Sequence, residues 1–311
     1  MTTVRLECIR YGKRPDQPGG ARISPLSGGF GGAHCHRTSE ECGLYAKSRY
    51  RVPVKIQLLP SSFDEHGIAS LEQRLSCYVV DDCVAIDAGS VALAVNSAQR
   101  GAVRDIIITH PHIDHIATLP IFIDDVFATL QEPVRVHATA EVITLLERDI
   151  FNWTVYPRFT ELSNDRTRVM EYVPFRPAEE FAVKHLKVTA IPVNHSVPTV
   201  GLIFSDGETT VGFSSDTGAT ENFWHAVNRL PRIDALLIEA SFPTALQQLA
   251  VISGHHTPAS LRRELHKLIH APLDVLVVHL KPAYREMLVR ELVALDIPNL
   301  SVMQPGREYA W

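Results

Sequence analysis

The chain has 311 residues, 45% of them hydrophobic, enough to bury the core of one large α/β domain or two small ones. A formal net charge of −5 with His neutral leaves no basic footprint for non-specific nucleic-acid binding, although bound metal ions would still allow an anionic substrate. The five cysteines, an odd number, do not read as a disulfide framework; no apolar run is long enough to span a bilayer, and the N-terminus lacks a secretory signal's apolar stretch, so a cytoplasmic location is expected.

Residues 1–52 read as an irregular extension, with loop compositions in Asp16-Gln17-Pro18-Gly19-Gly20 and Ser27-Gly28-Gly29-Phe30-Gly31-Gly32. His34-Cys35-His36 and Cys42 lie within it, but their spacing matches no zinc-finger pattern. A folded domain is expected over 53–311. Residues 54–58 alternate like a strand, and 76–80 with 84–87 predict a hairpin around Asp81-Asp82. Residues 105–109 form a buried strand ending at His110. Leu119, Ile123, Phe127 and Leu130 then share one helical face, with Pro120 tolerable only in the first turn.

Residues 181–191 read as strand. Residues 200–205 and 209–214 read as two strands joined at Asp206-Gly207, a strong turn dipeptide. A buried strand follows at 235–238. Residues 258–269 predict a helix with Thr257 as N-cap and Pro258 at the first helical position. The remainder reads as a strand at 275–278 ending at His279, a helix at 282–295 and a last strand at 300–303. Strand-rich stretches in both halves, with helices between and after them, suit two packed sheets with helices outside. A doubly wound sheet would alternate strand and helix throughout.

Fifteen histidines are many for this length, and their spacing is what informs. Thr109-His110-Pro111-His112-Ile113-Asp114-His115 places three imidazoles and one carboxylate within six residues, between an apolar strand and an apolar helix. His110 and His112 can converge on one ion while Asp114 and His115 face a second. Such a set suits zinc or another divalent first-row metal, and rarely arises in a solvated turn. His195, Asp216 and His279 each follow a predicted strand. A lone histidine at a strand end is ordinarily just hydrogen-bonded, but three such positions behind the first motif are what a site on one rim of a sheet would produce.

These residues resemble the metallo-β-lactamase superfamily, whose motif His-x-His-x-Asp-His is matched from His110 to His115. The resemblance covers about residues 53–311 and implies an αββα sandwich with the site at one edge of the two sheets. It implies two divalent ions, zinc first, with manganese or iron as alternatives. One ion would sit on His110, His112 and His195 and the other on Asp114, His115 and His279, with Asp216 as bridge. A water or hydroxide between the ions would be the nucleophile. Asp87, in Ile86-Asp87-Ala88-Gly89-Ser90, matches an early superfamily aspartate and is expected to hold the metal loop by hydrogen bonds.

Three segments are similar to the class II cyclic-nucleotide phosphodiesterases: Gly254-His255-His256-Thr257-Pro258 to Gly-His-Leu-Thr-Pro, Val278-His279-Leu280-Lys281-Pro282 to His-Ile/Leu-Lys-Pro, and Ser215-Asp216-Thr217-Gly218-Ala219-Thr220-Glu221 to Gly-Asp-Thr-Gly-Pro-Thr-Glu. Two departures stand out. His256 replaces an apolar residue, and Leu58-Leu59-Pro60-Ser61-Ser62-Phe63 stands where a Gly-rich turn is common. Hydrolysing a phosphodiester needs charge stabilisation on the non-bridging oxygens and a proton for the leaving alkoxide. His255 is the candidate donor, oriented by Glu239, a pair comparable to one in the related tRNase Z enzymes. His255, Glu239 and Asp114 are therefore the candidate catalytic side chains.

The resemblance implies hydrolysis of 3′,5′-cyclic nucleotides such as cAMP or cGMP to nucleoside 5′-monophosphates, with a small molecule as partner and neither nucleic acid nor membrane. A tRNase Z-like RNA endonuclease is the alternative; the acidic charge and the lack of a Lys/Arg-rich glycine arm count against it. A non-catalytic metal-binding protein is a third reading, opposed by the complete ligand set. Residues 148–168, with Phe151, Trp153, Tyr156 and Phe159, could form a lid or a homodimer contact, with ordinary packing the simpler account. His66, His137, His185, His225, His266 and His270 read as ordinary surface or core histidines.

Overall fold

The computed structural model describes residues 53–270 and 273–311; the expected extension at 1–52, with Cys8, Cys35 and Cys42, lies outside them. The first strands are β1 (Lys55–Leu58), β2 (Tyr78–Val80), β3 (Val84–Ile86), β4 (Asp105–Ile107), β5 (Val134–Ala138), β6 (Met170–Pro174) and β7 (Glu180–Val183). After them come β8 (Leu186–Pro192), β9 (Val200–Ser205), β10 (Thr210–Phe213), β11 (Ala235–Glu239), β12 (Asp274–Val278), β13 (Leu300–Val302) and β14 (Glu308–Ala310). Among the described residues they build two sheets of seven strands, ordered β14-β1-β2-β3-β4-β5-β6 and β13-β12-β11-β10-β9-β8-β7. The helices are α1 (Val91–Ala94), α2 (Ser97–Ala102), α3 (Ile113–Ile116), α4 (Leu119–Val126), α5 (Ala140–Asp149), α6 (Asn222–Asn228), α7 (Gln247–Ser253), α8 (Pro258–Leu265) and α9 (Arg285–Val293).

The pleat sorts side chains into layers. In β11, Ala235 and Leu237 pack between the sheets, while Leu236 and Ile238 pack with Phe223 and Trp224 of α6, Leu261 of α8 and Leu288 of α9. In β4, Ile107 faces the other sheet and Ile106 joins Leu119, Phe122 and Ile123 of α4 and Leu146 of α5. The result is the expected αββα sandwich. Burial of both faces explains why the central strands read as unbroken apolar runs. Each such Leu or Ile contributes about 1.5–3 kcal/mol, and truncating Leu237 to Ala would cost about 2–5 kcal/mol.

Several elements differ from expectation. Residues 181–191 form a hairpin, β7 and β8 in register Val183↔Leu186, instead of one strand. The apolar alternation changes phase between Val183 and Leu186, and Lys184 turns the chain at φ 52. The helix expected over 258–269 stops at Leu265, and that over 282–295 begins as a 3-10 turn, Pro282–Tyr284. Thr257 does cap α8, with Pro in its first turn. The strands β5, β6 and β14 and the helix α5 had no counterpart in the sequence reading; β14 extends the first sheet beside β1. Phe151 and Phe159 of the 148–168 stretch are buried, whereas Trp153 is exposed. No helix among the described residues is long and apolar enough to cross a membrane.

Candidate metal centre

Strand ends deliver the site. Strands β8 and β10 are both antiparallel to β9, and β10, β11 and β12 are parallel, so all four present their C-terminal ends at one edge. His195 follows β8, Asp216 follows β10, Glu239 closes β11 and His279 follows β12. Asp87 and His110 follow β3 and β4, which are parallel to each other in the first sheet. His112 is the N-cap of α3, which carries Asp114 and His115. The sheets are tied at this edge: Ser215 Oγ donates to Thr109 Oγ1 at 2.9 Å, and the Val200 N–H donates to the Thr109 carbonyl at 3.2 Å.

Three of these strand-end turns use a non-glycine residue in the left-handed region, Asp87 at φ 58, Ser215 at φ 54 and His279 at φ 59. Each costs of order 1–3 kcal/mol and persists because surrounding bonds over-determine it. Gly89 and Gly254 permit close approaches that a side chain would forbid. A Cβ on Gly89 would lie 2.0 Å from the Asp114 carbonyl oxygen, and one on Gly254 would lie 2.9 Å from His195 Cα.

Hydrogen bonds on one ring nitrogen orient the other. The Nδ1–H of His115 donates to Asp87 Oδ2 at 2.7 Å, and that of His195 to the Gly254 carbonyl at 2.9 Å. The His279 Nδ1 lies 2.9 Å from Ser241 Oγ, and His110 Nδ1 lies 3.0 Å from Thr109 Oγ1. Asp87 Oδ1 also accepts from the Thr109 N–H at 2.9 Å, which ties the loop to β3. Nε2 is therefore the atom that each of these four rings turns toward the cluster. His112 is turned the other way, its Nδ1 3.1 Å from His195 Nε2.

These atoms converge. Asp216 Oδ2 lies 3.3 Å from His115 Nε2, 3.3 Å from His279 Nε2 and 3.7 Å from His110 Nε2, and Asp114 Oδ2 lies 3.3 Å from His279 Nε2. Potential ligand atoms of His110, His112, His195 and Asp216 lie within 4.8 Å of one another, as do those of Asp114, His115 and His279, and those of Asp216, His255 and His279. The Nε2 atoms of His110 and His115 are buried without a hydrogen-bond partner. Two orphaned imidazole nitrogens beside ionised carboxylates fit a divalent cation.

The electrostatics agree. Burial works against the charge of Asp216, but His279 and His115 outweigh it and hold the carboxyl well below its usual range. Asp114 is likewise lowered against burial, by His279, His115 and Lys281. Burial keeps His110, His112 and His195 neutral by lowering their pKa values. His115 goes up despite burial because Asp216 and Asp87 face it. The proton drawn to that ring marks a negative potential that a metal cation would answer.

Next to these groups, His255 Nδ1–H donates to Glu239 Oε1 at 2.7 Å. Glu239 is wholly buried, and it also accepts from the Thr217 N–H at 3.1 Å and from Ser241 Oγ at 2.9 Å. Burial disfavours a charged His255, yet Glu239 raises its pKa. The His255 ring stacks on His279, centroids 5.5 Å apart, and lies edge-on to His195 at 4.9 Å.

A family model described as a beta-lactamase superfamily domain matches residues 84–279, from β3 to the last of these histidines. The chain belongs to the beta-lactamase superfamily. Its curated relatives include a probable 3′,5′-cyclic-nucleotide phosphodiesterase of Yersinia pestis, 26% identical over 233 residues (67% of this chain, 64% of that protein). A 3′,5′-cyclic-nucleotide phosphodiesterase of Aliivibrio fischeri is 26% identical over 224 residues (60% of this chain, 66% of that one). The matches thus span just under two thirds of the length of these relatives. The fold is shared with unliganded yeast PDE1, TM-score 0.66 at 17% identity, covering 84% of this chain and 100% of that one. It is shared too with the metallo-beta-lactamase fold protein YhfI of Bacillus subtilis, TM-score 0.63 at 18% identity, covering 83% and 100%.

All seven candidate ligands of this superfamily member come together, as do His255 and Glu239. The sequence reading assigned no role to Ser241, Thr109 or Lys281. Ser241 links Glu239 to His279, Thr109 links Asp87 to His110, and Lys281 Nζ lies 3.3 Å from Asp114 Oδ2. Hydroxyls carry no spacing signature, so only Lys281, inside the His-Leu-Lys-Pro run, could have been suspected.

Proposed function

We propose that this protein is a divalent-metal-dependent phosphodiesterase that opens the cyclic phosphate of a 3′,5′-cyclic nucleotide, such as cAMP or cGMP, to the nucleoside 5′-monophosphate. The observation that carries the reading is the His255–Glu239 pair, bonded at 2.7 Å, set against the candidate ligands gathered around Asp216. The names of the two curated relatives support the same substrate class. His110, His112 and His195 would hold one ion and Asp114, His115 and His279 the other, with Asp216 shared. The nitrogen-rich donor set favours zinc, with manganese or iron next. When bound, the ions supply positive charge at the non-bridging oxygens and a lowered pKa for the attacking water.

The chain's own residues do the rest. Asp87, Gly254, Ser241 and Thr109 hold the rings by Nδ1, so that Nε2 is fixed in place without reorganisation during the reaction. His255, charged through Glu239, keeps Nδ1 on that carboxylate and offers the Nε2 proton. Water oxygen bonds to phosphorus and its proton passes to solvent, the bond from phosphorus to O3′ breaks, and O3′ takes the proton from His255, which recovers one from solvent. Glu239 stabilises the imidazolium beforehand and sets the ring's direction.

The test is a metal analysis of the purified chain together with hydrolysis of cAMP, cGMP and bis(4-nitrophenyl) phosphate, with chromatography of the nucleotide product. About two ions per chain and a 5′-monophosphate are expected. Metal-loaded protein inert toward all three substrates would overturn the reading, and a 3′-monophosphate would overturn the assignment of the leaving oxygen.

A further inference from the structure

A cavity of about 400 Å³ adjoins the candidate metal centre, with His195 and His255 at their common border. That volume falls within the roughly 300–1,000 Å³ of small-molecule sites. Its far walls come from α7, through Gln247, Val251 and Ile252, from His256 just before α8, and from Arg263 in the last turn of α8.

Three features of these walls are unmatched among the described residues. Val251 and Ile252 are adjacent aliphatic side chains left 68% and 81% exposed. His256 is 1% exposed, and its Nδ1 lies 3.2 Å from Ser260 Oγ, yet its Nε2 has no hydrogen-bond partner. Among the residues lining the cavity, it is the one with a buried side-chain atom so orphaned. Leaving such an atom unmatched is costly, and a leucine of similar size would avoid the cost. Arg263 is exposed and makes no ion pair among the described residues, so its guanidinium plane is available for stacking. An aliphatic wall, a planar cation and one unmatched imidazole nitrogen together describe a seat for a flat heteroaromatic ring with a hydrogen-bonding edge.

We propose that this cavity seats the nucleobase of the substrate, flat against Val251, Ile252 and Arg263, and that His256 reads the hydrogen-bonding edge of that base. The proposal rests on the phosphodiesterase reading for where the phosphate goes, but base binding is measurable without turnover. His256 is then a specificity-determining residue, standing where the resembling phosphodiesterase segment carries an apolar side chain.

Calorimetry on the full, metal-loaded chain tests it, with adenosine and guanosine as ligands that carry a base and no phosphate. Ribose 5-phosphate, with a phosphate and no base, is the control. Both nucleosides should bind. Ile252→Asp, at an exposed position that leaves the core intact, should weaken both by about tenfold. His256→Leu should change the ratio of adenosine to guanosine affinity by about tenfold, as loss of one hydrogen bond to the edge would. Ribose 5-phosphate should bind all three proteins alike. No nucleoside binding, or nucleoside affinities that neither variant changes, would overturn the base seat even if cyclic nucleotides are hydrolysed. Nucleoside binding that responds to both variants supports the seat, and it would stand even if the chain hydrolysed no cyclic nucleotide and the phosphodiesterase reading fell.

Discussion

Strand β4 has a buried polar cluster at each end, and the two are built differently. At its start, Asp105 accepts from Arg135 Nε and Nη2, both at 2.7 Å, and lies 2.9 Å from His137 Nε2. The cluster pins β4 to β5 in the register Asp105↔Arg135. Lys184 Nζ closes on Asp105 Oδ2 at 3.5 Å, and among the described residues only His137 Nδ1 is left over there, with no metal-type ligand group around it. Beyond the other end, His110 and His115 present orphaned Nε2 atoms to Asp216, itself surrounded by candidate ligands. Burial and charge are common to both ends. What separates them is charge balance: a carboxylate matched by Arg135 and Lys184 locks a register, and carboxylates that converge with unpartnered ring nitrogens suit a cation.

The comparison breaks most visibly at Asp216. Asp216→Ala should release both ions and take cyclic-nucleotide hydrolysis to background, measured by metal analysis and product chromatography. A variant that kept both ions and its turnover would end the shared-ligand assignment.

His255→Ala sharpens the contrast within the site, between holding metal and moving a proton. The ions should stay, while cAMP turnover falls by about a hundred to ten thousandfold. The loss should be smaller for bis(4-nitrophenyl) phosphate, whose leaving oxygen needs no proton. Equal losses on both substrates, or depletion of metal, would make His255 structural.

Asp87 tests the outer support. Asp87→Asn removes the charged acceptor of His115 Nδ1–H and should weaken metal binding by about ten to a hundredfold, read by chelator competition. Unchanged metal affinity would mean that packing alone aims the ring.

At the balanced end, Asp105→Asn should leave metal affinity and turnover unchanged but lower stability by about 3–5 kcal/mol at neutral pH. Burial opposes the charge of Asp105, yet Arg135 and His137 outweigh it and hold the carboxyl far below its ordinary range. A lowered carboxyl stabilises fully above its unfolded pKa, about 3.9. That stability is lost as pH falls below this value and through the lower folded pKa. Denaturant midpoints of the two proteins should therefore differ by a constant amount from pH 7 to about pH 5 and draw together only in stronger acid. A gap that closed near neutrality would point to a histidine instead.

Much of the site was legible because short chain distances guarantee proximity. His110, His112, Asp114 and His115 fall within six residues, so no fold could carry them far apart. His195, Asp216 and His279 were found because each follows an apolar run, and strand ends at one rim are where such loops gather. The hairpin at β7 and β8 was missed because its turn, Lys184-His185, carries no Gly, Asn or Asp to announce φ 52 at Lys184. Helix α8 was drawn too long because apolar residues continue past Leu265 after the helical bonds have ended.

The sequence by itself determined the donor types, their grouping and the doubly buried strands, since local spacing and apolar periodicity are written along the chain. Only the tertiary structure decided which nitrogen of each ring faces the cluster and which groups meet across the sheets. The partners that settle this are remote in sequence: Asp87 lies 28 residues from His115, Gly254 lies 59 from His195, and Lys281 lies 167 from Asp114. A ring's tautomer follows from the acceptor that packing brings to its Nδ1, and packing exists only once both sheets have closed on one another.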